Sequence, residues 1–157
     1  MQMTETSAVP SLYQWVGGLP AFGRLTRVCY GRVPQAPLLA PTFAAMDPHH
    51  ARYVAQFVAE VFGGPEAYSE GRGGHPAMVR KHLGRQLTEA QRKRWIALLP
   101  ECADEAGLPA DPEFRSTFVG YIEWGTRLAV LDSAEGMPDP GPAPMPAWDW
   151  GPVKGPY

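Results

Sequence analysis

Gly74-His75-Pro76-Ala77-Met78-Val79-Arg80-Lys81-His82-Leu83-Gly84, then Thr88-Glu89-Ala90-Gln91 and Trp95, is the stretch on which the fold turns. The spacing predicts a short helix over about residues 77–84 that ends at glycine. A capping box follows: threonine with glutamine three positions on satisfies two orphan backbone donors and starts a new helix. On that helix Trp95, Leu98, Leu99, Cys102 and Ala106 share one face. His82 and Trp95 thus sit on two consecutive helices that can turn back over one cavity.

Working outward, the same grammar recurs. Residues 11–16 form a short apolar-aromatic segment stopped by Gly17-Gly18. Pro20 opens a second helix, with Phe22, Leu25, Val28, Cys29 and Val33 at helical spacing and Tyr30 at the edge of that stripe. Pro34 and Pro37 end it. Residues 36–43 are too apolar for an exposed loop, so Leu38, Leu39 and Phe43 should pack inward. Asp47-Pro48 reads as a helix start, with the helix running to Phe62 and stopping at Gly63-Gly64-Pro65. Its inner stripe is His50, Val54, Phe57, Val58 and Val61. Residues 65–76 read as a long glycine-rich loop holding Tyr68 and His75. Asp111-Pro112 starts a last helix with Phe114, Phe118, Tyr121, Ile122, Gly125, Leu128 and Ala129 inward. No stretch alternates like a strand, so the expected class is all-α, with five main helices and some short ones.

Composition limits the function classes. The 157 residues carry a net charge of −2, which offers no global basic field for nucleic acid. No apolar run approaches the roughly 20 residues of a membrane span. Residues 1–10 read as a polar leader without a secretory signal. Cys29 and Cys102 cannot build a disulfide framework and read as buried thiols, so a reducing cytoplasm is the expected location. The domain is expected over residues 11–134. Residues 135–157 are a tail, with seven prolines after Gly136. Such a segment favours extended conformations and is not expected to join a helical core. Trp148-Asp149-Trp150 within it reads as a disordered stretch, or as one that docks on a partner or on the domain.

The chemistry-bearing side chains are few. No HExxH, CxxC, GxSxG, Walker loop or GxGxxG is present, which weakens hydrolase, zinc and nucleotide readings. The histidines are His49, His50, His75 and His82. An iron porphyrin would need a neutral imidazole whose second nitrogen is fixed, here by the Met78 carbonyl one turn back. It would also need apolar walls and cations for its propionates, here Arg72, Arg80 and Lys81. The spacing of His82 alone fits a half-exposed helical histidine at least as well. Taken singly, Trp95, Tyr30 and His50 fit core or capping positions equally well.

Taken in order, four stretches resemble the truncated globins, the two-over-two helical haem proteins, and within them the second group. They are Leu12-Tyr-Gln-Trp-Val-Gly-Gly18, the tyrosine of Val28-Cys-Tyr30, Glu60-Val-Phe-Gly-Gly-Pro-Glu-Ala-Tyr-Ser69, and Gly74-His-Pro-Ala-Met-Val-Arg-Lys-His82 with Trp95. The resemblance implies a two-over-two helical sandwich around haem b, with His82 as proximal iron ligand. It implies Tyr30, His50 and Trp95 as the distal residues facing a bound gas. It places Phe43, Val54, Phe57, Val61, Tyr68, Met78, Arg80, Lys81 and Leu83 around the cofactor. The sequence departs from the commoner pattern in having His50 at the distal gate, Phe43 where tyrosine is frequent, an extra residue at Gly73-Gly74, and the proline-rich tail.

The ligands implied are O₂, with NO, CO or peroxide as further candidates. Donors aimed at the outer oxygen slow its loss, which argues for storage, sensing or redox chemistry over rapid delivery. NO dioxygenase-like or weak peroxidase activity is left open, and would require an unidentified electron donor. The alternative is a haem-based sensor or interaction protein that uses the tail. A monomer or homodimer, with neither nucleic acid nor membrane as partner, completes the expectation.

Overall fold

A computed structural model describes residues 8–157; of the polar leader expected over residues 1–10, residues 1–7 lie outside it. The helices, in order, are α1 Leu12–Val16, α2 Leu19–Arg32, α3 Ala40–Phe43, α4 His50–Val61, α5 Ala67–Arg72, α6 Gly74–His82, α7 Glu89–Glu105 and α8 Pro112–Asp132. Single 3₁₀ turns lie at Val33–Gln35 and Gly151–Val153. No strand occurs among the described residues, and the all-α expectation holds. α2 packs on α4, α7 on α8, and α2 also on α7. These pairs form the two-over-two sandwich.

The start signals act as read. Thr88 closes a reciprocal capping box with the glutamine three residues on, and Ser11, not read as a cap, does the same with Gln14. Asp111 caps α8 through its side chain, which accepts from Phe114 N. At Asp47-Pro48 the result differs. The carboxylate accepts from His49 N at 2.7 Å, but a turn intervenes and α4 begins only at His50. In residues 36–43, Leu39 is buried whereas Leu38 is half exposed.

Residues 65–76 are not a long loop. They hold α5 and the first turn of α6, with Gly73 at φ +96° and Gly74 at φ +69° making the corner between them. Two consecutive left-handed residues let the chain reverse in almost no length. Tyr68 is fully buried beneath this corner. After α6 the chain is pinned to the end of α8: Gln86 N and Leu87 N donate to the Ser133 backbone and side-chain oxygens, both at 2.9 Å.

The core is aromatic. Phe22, Phe62, Phe114 and Phe118 are fully or almost fully buried and meet edge-on or stacked. The tail is extended, as its prolines dictate, yet it does not stand apart from the core. Trp150 is buried, and its indole donates to Pro10 O at 2.7 Å. Trp148 N donates to Val61 O at 2.8 Å, and its indole to Thr117 O at 3.1 Å. Two large apolar rings inside a proline segment find more burial on α8 than in water, and this outweighs the segment's preference for a solvated backbone.

Candidate haem site

Between α2, α4, α6, α7 and α8 lies a cavity of about 720 Å³, within the usual range of ligand and cofactor pockets, roughly 300–1,000 Å³. Of the residues singled out from the sequence, Tyr30, Phe43, His50, Val54, Phe57, Met78, Lys81, His82 and Trp95 line it. Val61, Tyr68, Arg80 and Leu83 do not. Val61 is in the core with its carbonyl turned to Trp148. Tyr68 lies behind the wall, edge-on to Phe57 at 5.1 Å. Arg80 points away from the cavity and pairs with Asp139 of the tail through two hydrogen bonds of 2.7 and 3.1 Å.

His82 ends α6. Its Nδ1 lies 2.9 Å from Met78 O, a carbonyl that can only accept, so Nδ1 carries the hydrogen. That leaves Nε2 with a free lone pair. Burial pushes the His82 pKa down, the Met78 bond opposing it in part. A neutral imidazole with a fixed tautomer is the form that ligates a metal.

Four aromatic side chains from four helices form a second group on the same cavity. Tyr30 (α2) meets Phe43 (α3) and Trp95 (α7) at centroid distances of 5.6 Å each, and His50 (α4) at 5.0 Å. Phe43 also stacks on Trp95 at 5.7 Å. Tyr30 Oη and His50 Nε2 are 3.1 Å apart. Burial raises the Tyr30 pKa, so the phenol keeps its proton. His50 is pushed down to about 4, first by burial and then by the charges of Lys81, Arg85 and His82. Both partners are therefore neutral near pH 7. The Trp95 indole has no acceptor among the described residues, which leaves its N–H available to a ligand.

Arg72, Lys81 and Arg85 also line the cavity. Arg72 lies over the Tyr53 ring at 3.7 Å, and Lys81 Nζ 5.4 Å from the same ring. Arg85, Tyr53, His75 and Pro146 were not singled out as site residues. Arg85 follows the helix-ending Gly84, where periodicity gives no direction. Pro146 is in the tail and has no local signal at all.

With that geometry established, the relatives can be set beside it. The model of the family described as bacterial-like globin matches residues 11–120. Over 113 residues the chain is 31% identical to the group 2 truncated hemoglobin YjbI of Bacillus subtilis, covering 72% of this chain and 83% of that protein. The group II truncated hemoglobin of Bacillus anthracis superposes with a TM-score of 0.71 at 23% identity, over 79% of this chain and 93% of that one. The truncated oxygen-avid haemoglobin from Bacillus subtilis does so with a TM-score of 0.68 at 29% identity, over 77% and 99%. The chain belongs to the bacterial-like globins, and within them to the group II truncated haemoglobins. Membership of that family implies a haem-binding, oxygen-binding globin.

The residues present fit a haem. Apolar side chains make most of the cavity wall, and Arg72, Lys81 and Arg85 line it as cations that could pair with a haem's two carboxylates. Two buried polar atoms, Tyr68 Oη and His75 Nδ1, have no partner among the described residues. Orphaned groups of this kind are rare unless a ligand or water completes them.

Proposed function

We propose that this protein binds haem b through His82 and holds O₂ against slow release, with Tyr30, His50 and Trp95 as distal donors. The observation that carries this reading is the pairing, on one cavity, of a fixed-tautomer histidine and a separate group of polar-edged aromatics. Haem supplies the gas-binding metal; the chain supplies the donors, the dry walls and the cations that hold the propionates. Phe43, Val54, Phe57 and Met78 are the walls. Lys81, Arg72 and Arg85 would pair with the carboxylates, and His75, on the same cavity, would add a hydrogen bond to them.

Neutral donors in a buried pocket favour a ligand with negative charge on its outer atom, which is O₂ more than CO. Slow release suits storage or redox turnover of O₂ with NO, or reaction with peroxide, more than delivery. Such turnover requires an external electron donor. A sensor that signals through the tail has less support, since both tail tryptophans are already engaged by the domain.

A hemin titration tests the assignment. The chain should take up one equivalent and develop a Soret band, and His82→Ala should lose the low-spin or five-coordinate histidine spectrum. A normal histidine-ligated spectrum in His82→Ala would overturn it.

A further inference from the structure

The tail contacts the two parts of the site that most need to be held. Asp139 receives both the Nε and Nη2 hydrogens of Arg80, and Gly141 N donates to the same carboxylate at 2.9 Å. Arg80 lies two residues before His82, on a nine-residue helix without a side-chain cap. A helix this short has little stability of its own and takes its direction from what it packs against. A two-pronged arginine–carboxylate pair fixes direction as well as distance. Both partners are about half exposed, so the pair adds little to global stability; what it supplies is orientation.

Further along, Pro146 lines the cavity itself. Trp148 then seats against Tyr121 at 5.5 Å and Trp124 at 5.7 Å, two α8 side chains that line the same cavity. Its backbone and indole N–H groups are both bonded, to Val61 O on α4 and Thr117 O on α8. Trp150 closes the far end on Pro10, and is not part of the cavity wall.

We propose that the tail is a structural part of the cofactor site: a strap that supplies Pro146 to the cavity wall and, through Asp139, sets the angle of the helix carrying His82. Asp139 is a positioning residue for the proximal ligand, and Trp148 is the anchor that seats the wall. This rests on the haem reading above. Groups that orient a metal ligand from outside its first contacts commonly change affinity by about 10–100-fold when removed.

The test uses the full-length haem-loaded protein and two readouts: hemin transfer to an excess of apoglobin, and the iron–histidine stretching band in the resonance Raman spectrum of the unliganded ferrous form. Asp139→Ala should leave the circular dichroism unchanged, shift or broaden that band and speed hemin loss about tenfold, and Asp139→Glu should restore both. Trp148→Ala should speed hemin loss at least as much. Trp150→Phe, at the far end, should lower the melting temperature without changing hemin loss. An unshifted band and unchanged hemin loss in Asp139→Ala overturn the proposal. So does Trp150→Phe accelerating hemin loss as much as Trp148→Ala for the same drop in melting temperature. Asp139 is exposed, so this arm survives even if Trp148→Ala fails to fold. A wild-type chain that develops no Soret band sinks the haem reading itself, whereas unchanged variants of a haem-loaded protein sink only the strap.

Discussion

Tyr30 Oη and His50 Nε2 lie 3.1 Å apart with room for one hydrogen between them. Either the phenol donates to an unprotonated Nε2, or Nε2–H donates to the phenol oxygen. On the function proposed above, dioxygen entering the pocket would compete for that hydrogen, so the two residues would not serve it independently. The expected outcome is non-additivity. In a cycle of Tyr30→Phe, His50→Leu and the double variant, stopped-flow O₂ dissociation should show a coupling of about 0.5–3 kcal/mol. If the double variant's rate equals the product of the two single effects within a factor of two, the residues act separately and the shared hydrogen is irrelevant to ligand retention.

On the same proposal Trp95 would be the simpler donor. Its indole makes no bond among the described residues, and its ring is held between Tyr30 at 5.6 Å and Phe43 at 5.7 Å. Trp95→Phe keeps an aromatic ring there and deletes the N–H. A neutral hydrogen bond contributes about 0.5–1.5 kcal/mol net, so O₂ should leave about two- to twelvefold faster. CO carries less charge on its outer atom and should change by less than about twofold, by the same electrostatic argument. Equal acceleration of both gases would point to altered access to the pocket instead of a lost donor.

How much of this was legible beforehand depended on whether the signal was local. Thr88 and Asp111 cap as read because each needs only residues three positions away; the equally local capping box of Ser11 was not read. The stripe on α4 and the ordered set from Tyr30 to Trp95 brought nine of the singled-out residues to one cavity. The misreadings share a physical cause. Gly71, Gly73 and Gly74 look like loop residues, yet α5 is held by tertiary packing: Glu60 accepts hydrogen bonds from both the backbone and the hydroxyl of Ser69. Arg80 was expected at the cofactor because Asp139, fifty-nine residues on, could not be foreseen as its partner. Arg92, for which the sequence offers no reading, is almost wholly buried between Glu89 and Glu123, although an arginine near the start of a capped helix normally points to water. Trp148 and Trp150 were noticed as able to dock on the domain, but nothing local chose that over a disordered tail.

The low pKa of His50 carries a sign that can be checked. In the haem-free protein it is held near 4, against about 6.5 for ordinary imidazole. Between those values the unfolded chain binds a proton that the folded chain refuses, so stability rises with pH there. The contribution is complete above about pH 6.5 and is lost as the pH falls toward 4. His82, also pushed down by burial, acts in the same direction. Urea midpoints of the haem-free protein should therefore fall between pH 7 and about pH 4.5, and His50→Gln should flatten part of that slope. An identical slope in the variant would show that His50 is as easily protonated in the folded chain as in the unfolded one.

Gly64 is fixed by space, not by a left-handed backbone. A Cβ there would lie 2.6 Å from Tyr13 Cδ2 and 2.7 Å from Ala59 O. Neither can retreat easily. Ala59 O already accepts from Gly64 N at 2.8 Å, and Tyr13 donates its N–H to Phe62 O at 2.9 Å while its ring stacks on Phe22. This contact is how α1 is locked onto the end of α4. Gly64→Ala should destabilise the fold by about 1–3 kcal/mol, the usual cost of overpacking. For a chain of this size each kcal/mol lowers the melting temperature by about 2–4 °C. The haem spectrum should stay unchanged, because neither Gly64 nor Tyr13 lines the cavity. In a Tyr13→Ala background the same substitution should cost less, since only the Ala59 carbonyl then remains in its way. A Gly64→Ala protein that melts with the wild type would mean that the junction of α1 and α4 can open by several tenths of an ångström at no cost.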